Sequence, residues 1–184
     1  MSAGTAPMSL RKALELARIL ADDLRPHCTR IEIAGSIRRG KAWVNDIEIV
    51  AIPKQVPVAA AEDLFGAEER PAGTERDPGF VAVVKRYAHT LVKGKPATGR
   101  YVQFLTHTGV KVDLFMATPE NWGYILAIRT GSAEFSQSLA WRWKKMGYEG
   151  QDGMLTRFGK PVPLKEERDL FDLIQLPWVQ PQDR

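Results

Sequence analysis

The sequence predicts an α+β protein, with a mixed sheet carrying helices at the front of the chain and a smaller α+β lobe behind it. Three observations predict this. An amphipathic helical pattern is followed by two alternating, strand-like segments between residues 30 and 52. Three further strand patterns cluster between residues 89 and 115. Beyond Ala117 the pattern becomes mainly helical.

The elements follow in order. Met1–Pro7 is small and polar and is expected to be disordered. Leu10, Ala13, Leu14, Ala17, Leu20, Ala21 and Leu24 repeat every three and four residues, which predicts a helix capped by Ser9 and ended at Arg25-Pro26. Arg30–Ala34 alternates as a strand, Gly35–Asn45 reads as a loop with two glycines, and Asp46–Ile52 alternates again. Pro53–Pro78, rich in Ala, Pro, Gly and Glu, reads as a surface excursion with a short helical patch at Ala59–Phe65. A helix over Phe80–Ala88 precedes strands at His89–Val92, Tyr101–Thr106 and Val110–Phe115. Asn121–Ile128 reads as a helix broken by Thr130-Gly131-Ser132, and Ser132–Met146 as a second helix. Two short strands and a helix over Glu166–Ile174 complete the pattern. The expected division is a disordered segment over 1–7, a sheet-bearing domain over 8–116 and a C-terminal lobe over 117–184.

Composition excludes several classes. Of 184 residues, 44% are hydrophobic and 26% charged, enough apolar surface to offset chain entropy, so a wholly disordered chain is excluded. No apolar run approaches the roughly 20 residues that cross a bilayer, and no leader pattern opens the chain. A soluble, cytoplasmic monomer with no membrane partner is expected. The lone Cys28 rules out an internal disulfide and a thiolate metal cage. The net charge of +4 favours a polyanionic partner.

One constellation carries chemistry. Strand alternation sends Asp46 and Glu48 to the same face, opposite Ile47 and Ile49. Two carboxylates side by side repel and add nothing to a structural sheet, whereas divalent cations between them would resolve the repulsion. Asp113, in the alternating segment Lys111–Phe115, could complete the site from a neighbouring strand. All-oxygen donors suit Mg²⁺ or Mn²⁺ rather than Zn²⁺. The preceding Gly35-Ser36-Ile37-Arg38-Arg39-Gly40-Lys41 supplies a sharp turn, a hydroxyl and cations, as a triphosphate beside a metal site requires. The alternative is a basic loop salt-bridged to a surface strand.

Gly35-Ser36-x-Arg38-Arg39-Gly40-Lys41 followed by Asp46-Ile47-Glu48 resembles the nucleotidyltransferase signature of the family X DNA polymerases, the polymerase-beta-like enzymes. Lys111-Val112-Asp113 resembles that family's third-carboxylate strand, and Thr130-Gly131-Ser132 its turn before the nucleotide-covering helix. Asp169–Gln175, with Pro181 and Arg184, resembles its C-terminal segment. The resemblance spans about Met8 to the end, in the family's order. It implies a polymerase-beta-like palm and a nucleotide- and template-binding lobe, without the family's N-terminal lyase and helix-hairpin-helix regions.

Position by position, the resemblance implies phosphate contacts from Gly35, Ser36 and Arg39, and nucleotide contacts from Arg129, Thr130, Gly131 and Ser132. It implies that Asp46 and Glu48 hold two ions and Asp113 one of them, with Asp113 accepting the primer hydroxyl's proton. Arg38 and Lys41 are expected as secondary phosphate or DNA contacts. The implied reaction is transfer from a nucleoside triphosphate to a DNA 3′-hydroxyl, in gapped or primer–template DNA, most naturally in a short repair gap. The rival is template-independent addition to DNA or RNA ends or another acceptor. The chain departs from the pattern at Glu48, usually Asp, and at Ile128-Arg129, usually the aromatic pair that rejects ribonucleotides. It departs again at Ser136, often Asn, and at Ala140, often Arg.

Independently of the resemblance, Gly79–Val112 contains Lys85, Arg86, Lys93, Lys95, Arg100 and Lys111 with no acidic residue, which predicts a phosphate-tracking surface. Lys93, Lys95, Arg100 and Lys111 are the expected DNA contacts. Arg142, Lys144 and Lys145 form a second basic strip. Trp143 is expected in the core and Trp43 as a packing anchor, with Trp122 and Trp178 also packing. Trp141, off the apolar stripe, could stack on a base.

Overall fold

The computed structural model describes residues 6–58 and 73–184. The expected helical patch at Ala59–Phe65, and all but the last two residues of the expected disordered 1–7 segment, lie outside the described residues.

A two-residue strand β1 (Met8–Ser9) leads into α1 (Leu10–Leu24), where the Ser9 hydroxyl accepts the Lys12 amide as the N-cap. The helix buries Ala13, Ala17, Leu20, Ala21 and Leu24, the stripe its spacing predicts. Strand β2 (Cys28–Ile33) follows. The next stretch, read as a loop, holds a four-residue helix α2 (Gly35–Arg38) and a strand β3 (Trp43–Val44) paired antiparallel with β1. Strand β4 (Asp46–Pro53) leads to β5 (Gln55–Val58), which pairs antiparallel with β6 (Gly73–Arg76). The expected excursion over 53–78 is therefore rooted in paired strands that its prolines and glycines concealed. Helix α3 (Pro78–Tyr87) begins where the Asp77 carboxylate accepts the Gly79 amide at 2.7 Å.

Strands β7 (Thr90–Lys93), β8 (Tyr101–Leu105) and β9 (Lys111–Met116) complete a five-stranded sheet in the order β2-β4-β9-β8-β7. Its central pair, β4 and β9, is parallel and the other pairs are antiparallel, giving the expected mixed sheet. Ile47, Ile49 and Ala51 of β4 join Val112, Leu114 and Met116 of β9 in one cluster with α1 and α3. The opposite face is polar at one end of the strands. At the other end Val50, Ile52 and Phe115 meet Ala34, Ala117, Trp122 and Leu126.

Helix α4 (Trp122–Thr130) ends at Gly131, and the Gly131–Ser132 peptide is cis. The Ser132 hydroxyl then caps α5 (Ala133–Lys145) by accepting the Phe135 amide. A small antiparallel sheet of β10 (Glu149–Gln151), β11 (Met154–Arg157) and β12 (Lys160–Val162) has three strands where two were expected. Its glycine- and proline-containing outer strands carry little alternation. Helix α6 (Glu167–Leu173) packs on α4, and Leu139, Trp143, Leu155, Leu170 and Ile174 form the core of this lobe.

Candidate active site

Parallel register sets the carboxylates. Glu48 stands level with Asp113, and Asp46 level with Lys111. The three acids and the lysine therefore share one face of two adjacent strands. Lys111 Nζ lies 2.7 Å from Asp46 Oδ2 and 3.9 Å from Asp113 Oδ2, an ammonium between two acids. Asp113 Oδ1 accepts from the Tyr101 hydroxyl at 2.5 Å and from Gln103 Nε2 at 2.7 Å, both on β8. Sequence reading missed these two donors, because Tyr and Gln at alternate strand positions look like an ordinary solvent face. Lys111, an expected DNA contact, is paired here with Asp46 as the counter-ion inside the acidic cluster.

On that same face, Glu48 leans toward α2. A Cβ at position 35 would stand 1.9 Å from Glu48 Oε2, so the carboxylate tucks under Gly35, whose φ of +60° also suits glycine. Burial, then the charges of Asp46 and Asp113, push the Glu48 carboxyl up to about 7. Its proton is thus held more tightly in the folded chain than in the unfolded one, where it leaves near 4.5. Metal-free protein should therefore lose stability as pH rises from about 4.5 through 7, by on the order of 2 kcal/mol for this partly solvated group. Denaturant unfolding between pH 5 and 8 with a chelator checks this. Glu48→Gln should flatten the profile, and an unchanged profile would remove Glu48 as its source.

The loop before β4 supplies unpartnered donors. Ser36 Oγ and Arg39 Nε are buried without a hydrogen-bond partner. Unsatisfied polar atoms are costly, and a ligand that meets them recovers that cost. Both residues line an open cleft of about 550 Å³ with Lys41, Trp43, Asn45, Asp46 and Glu48. Trp43, expected as a packing anchor, is 69% exposed on its rim, because among the described residues β3 pairs only with β1 and leaves that face uncovered.

Across the cleft, Arg39 Nη1 donates to the Thr130 carbonyl, joining the loop to the Gly131–Ser132 turn. Thr130 is fully buried, Gly131 has a φ of +68° beside the Arg39 guanidinium, and Ser132 is occupied as the α5 cap. Arg129 is exposed, its guanidinium 4.1 Å from the Phe115 ring centroid, in a smaller cleft with Tyr101. Arg38, expected to reach phosphate or DNA, is instead committed to protein. It donates to Thr130 Oγ1 at 2.6 Å and to both Glu167 oxygens at 2.9 and 2.8 Å.

Of the expected DNA contacts, Lys93 and Lys95 are exposed on β7 and the turn after it. Arg100 is engaged with the Asp152 carbonyl and carboxylate, and Arg86 with Asp23 at 2.6 Å. Counting cations along the chain could not reveal partners supplied from elsewhere in the fold. Cys28 is buried, with its thiol pushed up to about 12 by desolvation, which leaves it unreactive.

Residues 125–184 match the family model of the DNA polymerase beta thumb. That match relates this third of the chain to the polymerase-beta-like X family. No curated protein matches the chain. The thumb so defined takes in most of α4, all of α5 and α6, and the small sheet. It is fastened to the rest by Arg38–Glu167, by Arg100–Asp152 and by Arg30, which grips Glu166 at 2.7 and 2.6 Å. No helix among the described residues is long and apolar enough to cross a membrane.

The donors' chemistry fits a hard divalent cation: three carboxylates, mutually repelling and free of His or Cys. Their placement does not yet gather them, and no group of three or more His, Cys, Asp or Glu among the described residues stands ready to share one ion. Lys111 holds Asp46, Tyr101 and Gln103 hold Asp113, and Glu48 lies under Gly35.

Proposed function

We propose that the protein is a DNA polymerase of the X-family type that transfers a nucleotidyl group from a nucleoside triphosphate to a DNA 3′-hydroxyl, filling short repair gaps. One observation carries this reading. Two carboxylates, Asp46 and Glu48, share a cleft with two unpartnered buried donors, Ser36 Oγ and Arg39 Nε, beside the thumb, and the third, Asp113, stands level with Glu48 on the next strand and is electrostatically coupled to it.

Each group then has a task. Ser36 and Arg39 hold the β- and γ-phosphates, where their unpaired atoms gain partners. Gly35 lets those phosphates approach the backbone. Two Mg²⁺ or Mn²⁺ ions on Asp46, Glu48 and Asp113 would activate the 3′-oxygen and neutralise the departing pyrophosphate. Asp113, fixed by Tyr101 and Gln103, accepts the hydroxyl proton as the 3′-oxygen bonds to the α-phosphorus and the bond to the β-phosphate oxygen breaks. Lys111 leaves Asp46 for a primer phosphate, so one cationic partner replaces another. The thumb match supports a DNA substrate, and the exposed Lys93 and Lys95 suit its backbone.

Primer extension tests the reading, with each dNTP and rNTP supplied singly with Mg²⁺ and then Mn²⁺ on gapped duplexes. Addition of only the complementary nucleotide is expected, with modest sugar discrimination because Arg129 stands where a bulky aromatic gate would exclude a 2′-hydroxyl. Indiscriminate addition would replace the reading with a template-independent transferase. No addition with either metal would overturn it.

A further inference from the structure

Resting on that reading and extending it to the substrate's shape, we propose that α5 carries a stacking platform, Trp141, for unpaired template bases ahead of the site of addition. Trp141 is 59% exposed, although Trp143, two residues on, is buried in the thumb core. Lys145, one turn later, places its ammonium 3.6 Å from the indole centroid. That contact covers one face of the ring and fixes it, leaving the other face to solvent.

The surroundings select the occupant. Gln137 and Ser138, one turn earlier, are exposed on the same side, as are Arg142 and Lys144 nearby. No acidic residue occurs between Phe135 and Tyr148. A lone aromatic face among three cations is poorly suited to an apolar protein partner, which would strand those charges. It suits a nucleic-acid single strand, whose phosphates meet the cations while a base meets the ring.

Position along the helix identifies which strand. Ser132 caps α5 at the end where Arg39 reaches Thr130, beside the phosphate-binding cleft. Trp141 lies nine residues further on, about 13 Å at 1.5 Å per residue. We take the primer to lie along the exposed Lys93 and Lys95, as the proposed function has it, and α5 to lead from the phosphate-binding end towards template not yet copied. The span corresponds to about four stacked nucleotides, or fewer if the strand is extended. A one-nucleotide gap keeps these bases paired, whereas a longer gap or a recessed end leaves them free for the ring. The favoured substrate is therefore DNA with several unpaired template nucleotides.

Fluorescence anisotropy tests this on labelled primer–templates with 5′ template overhangs of none, one, two, four and six nucleotides. The wild-type chain should bind about tenfold more tightly once the overhang reaches Trp141. Trp141→Ala should lose that step while binding the blunt duplex unchanged, and Trp141→Phe should keep most of it. Unfolding midpoints would establish that the exposed substitutions leave the fold intact. Overhang-independent binding by the wild type, or a step that survives Trp141→Ala, overturns the platform while leaving primer extension untouched. If the wild type neither binds nor extends any of these duplexes, the platform and the polymerase reading fall together.

Discussion

Asp113→Asn is expected to lower nucleotidyl transfer by roughly a thousandfold or more, about 4 kcal/mol of transition-state stabilisation, while DNA affinity changes less than about twofold. The substitution is nearly isosteric. An asparagine oxygen can still accept from Tyr101 and Gln103, so the β8–β9 geometry and the fold should persist. What disappears is the negative charge that would bind a cation and the basicity that would take a proton. Tyr101→Phe and Gln103→Ala remove only the groups that aim Asp113, and each should cost about tenfold, the scale of lost support for a metal-binding carboxylate. Single-turnover extension and DNA titration on the same preparations separate the cases. If Asp113→Asn weakens DNA binding as much as transfer, Asp113 is structural. If Tyr101→Phe costs as much as Asp113→Asn, the hydroxyl itself belongs to the reaction.

Much of this site was legible in the sequence, and what was not shares one physical reason. Asp46 and Glu48 could be read because alternation is a local property and like charges on one strand face demand an explanation. The α1 stripe and the breaks at Thr130-Gly131-Ser132 are local in the same way. Partners are not local. Arg38 sits in a basic loop and was read as a phosphate contact, yet its partner Glu167 lies 129 residues away. Lys111 was counted into a basic strip because the sequence does not show that parallel pairing sets it beside Asp46. Arg100 was read without its partner, because Asp152 belongs to a turn in another lobe. Trp43 shows the converse, since an aromatic residue near a glycine-rich loop is read as buried until the strand that fails to cover it is known. Tyr101 and Gln103, alternating with the apolar Val102 and Phe104, were the overlooked signal. With Val102 and Phe104 fully buried on the opposite face, these two hydrogen-bonding side chains share the face that carries Asp113.

Glu167 should be the most stability-sensitive polar residue in the thumb. Its carboxylate, 5% exposed, accepts both terminal nitrogens of Arg38 and, at 2.5 Å, Arg184 Nη1. Arg184 has a fully buried side chain among Phe135, Phe171 and Trp178, and desolvation lowers its proton affinity despite the Glu167 partner. One acid thus offsets two guanidiniums in a poorly solvated space. Glu167→Gln leaves both cations with only neutral acceptors and should cost about 3–5 kcal/mol of unfolding free energy, measured by denaturant titration. The effect should also reach the cleft, because the Arg38 that Glu167 holds is the same Arg38 that donates to Thr130. Loss of that grip loosens the turn whose carbonyl receives Arg39, so nucleotide affinity should fall at temperatures where the variant is still folded. Replacing Glu167 together with Arg184 by apolar residues should recover part of the stability, since it removes a buried charge as well as its partner. It should not recover nucleotide affinity, because Arg38 would still lack its anchor. A Glu167→Gln chain that unfolds within about 1 kcal/mol of the wild type would show that solvent reaches these guanidiniums and that the ion pairs do not fasten the thumb.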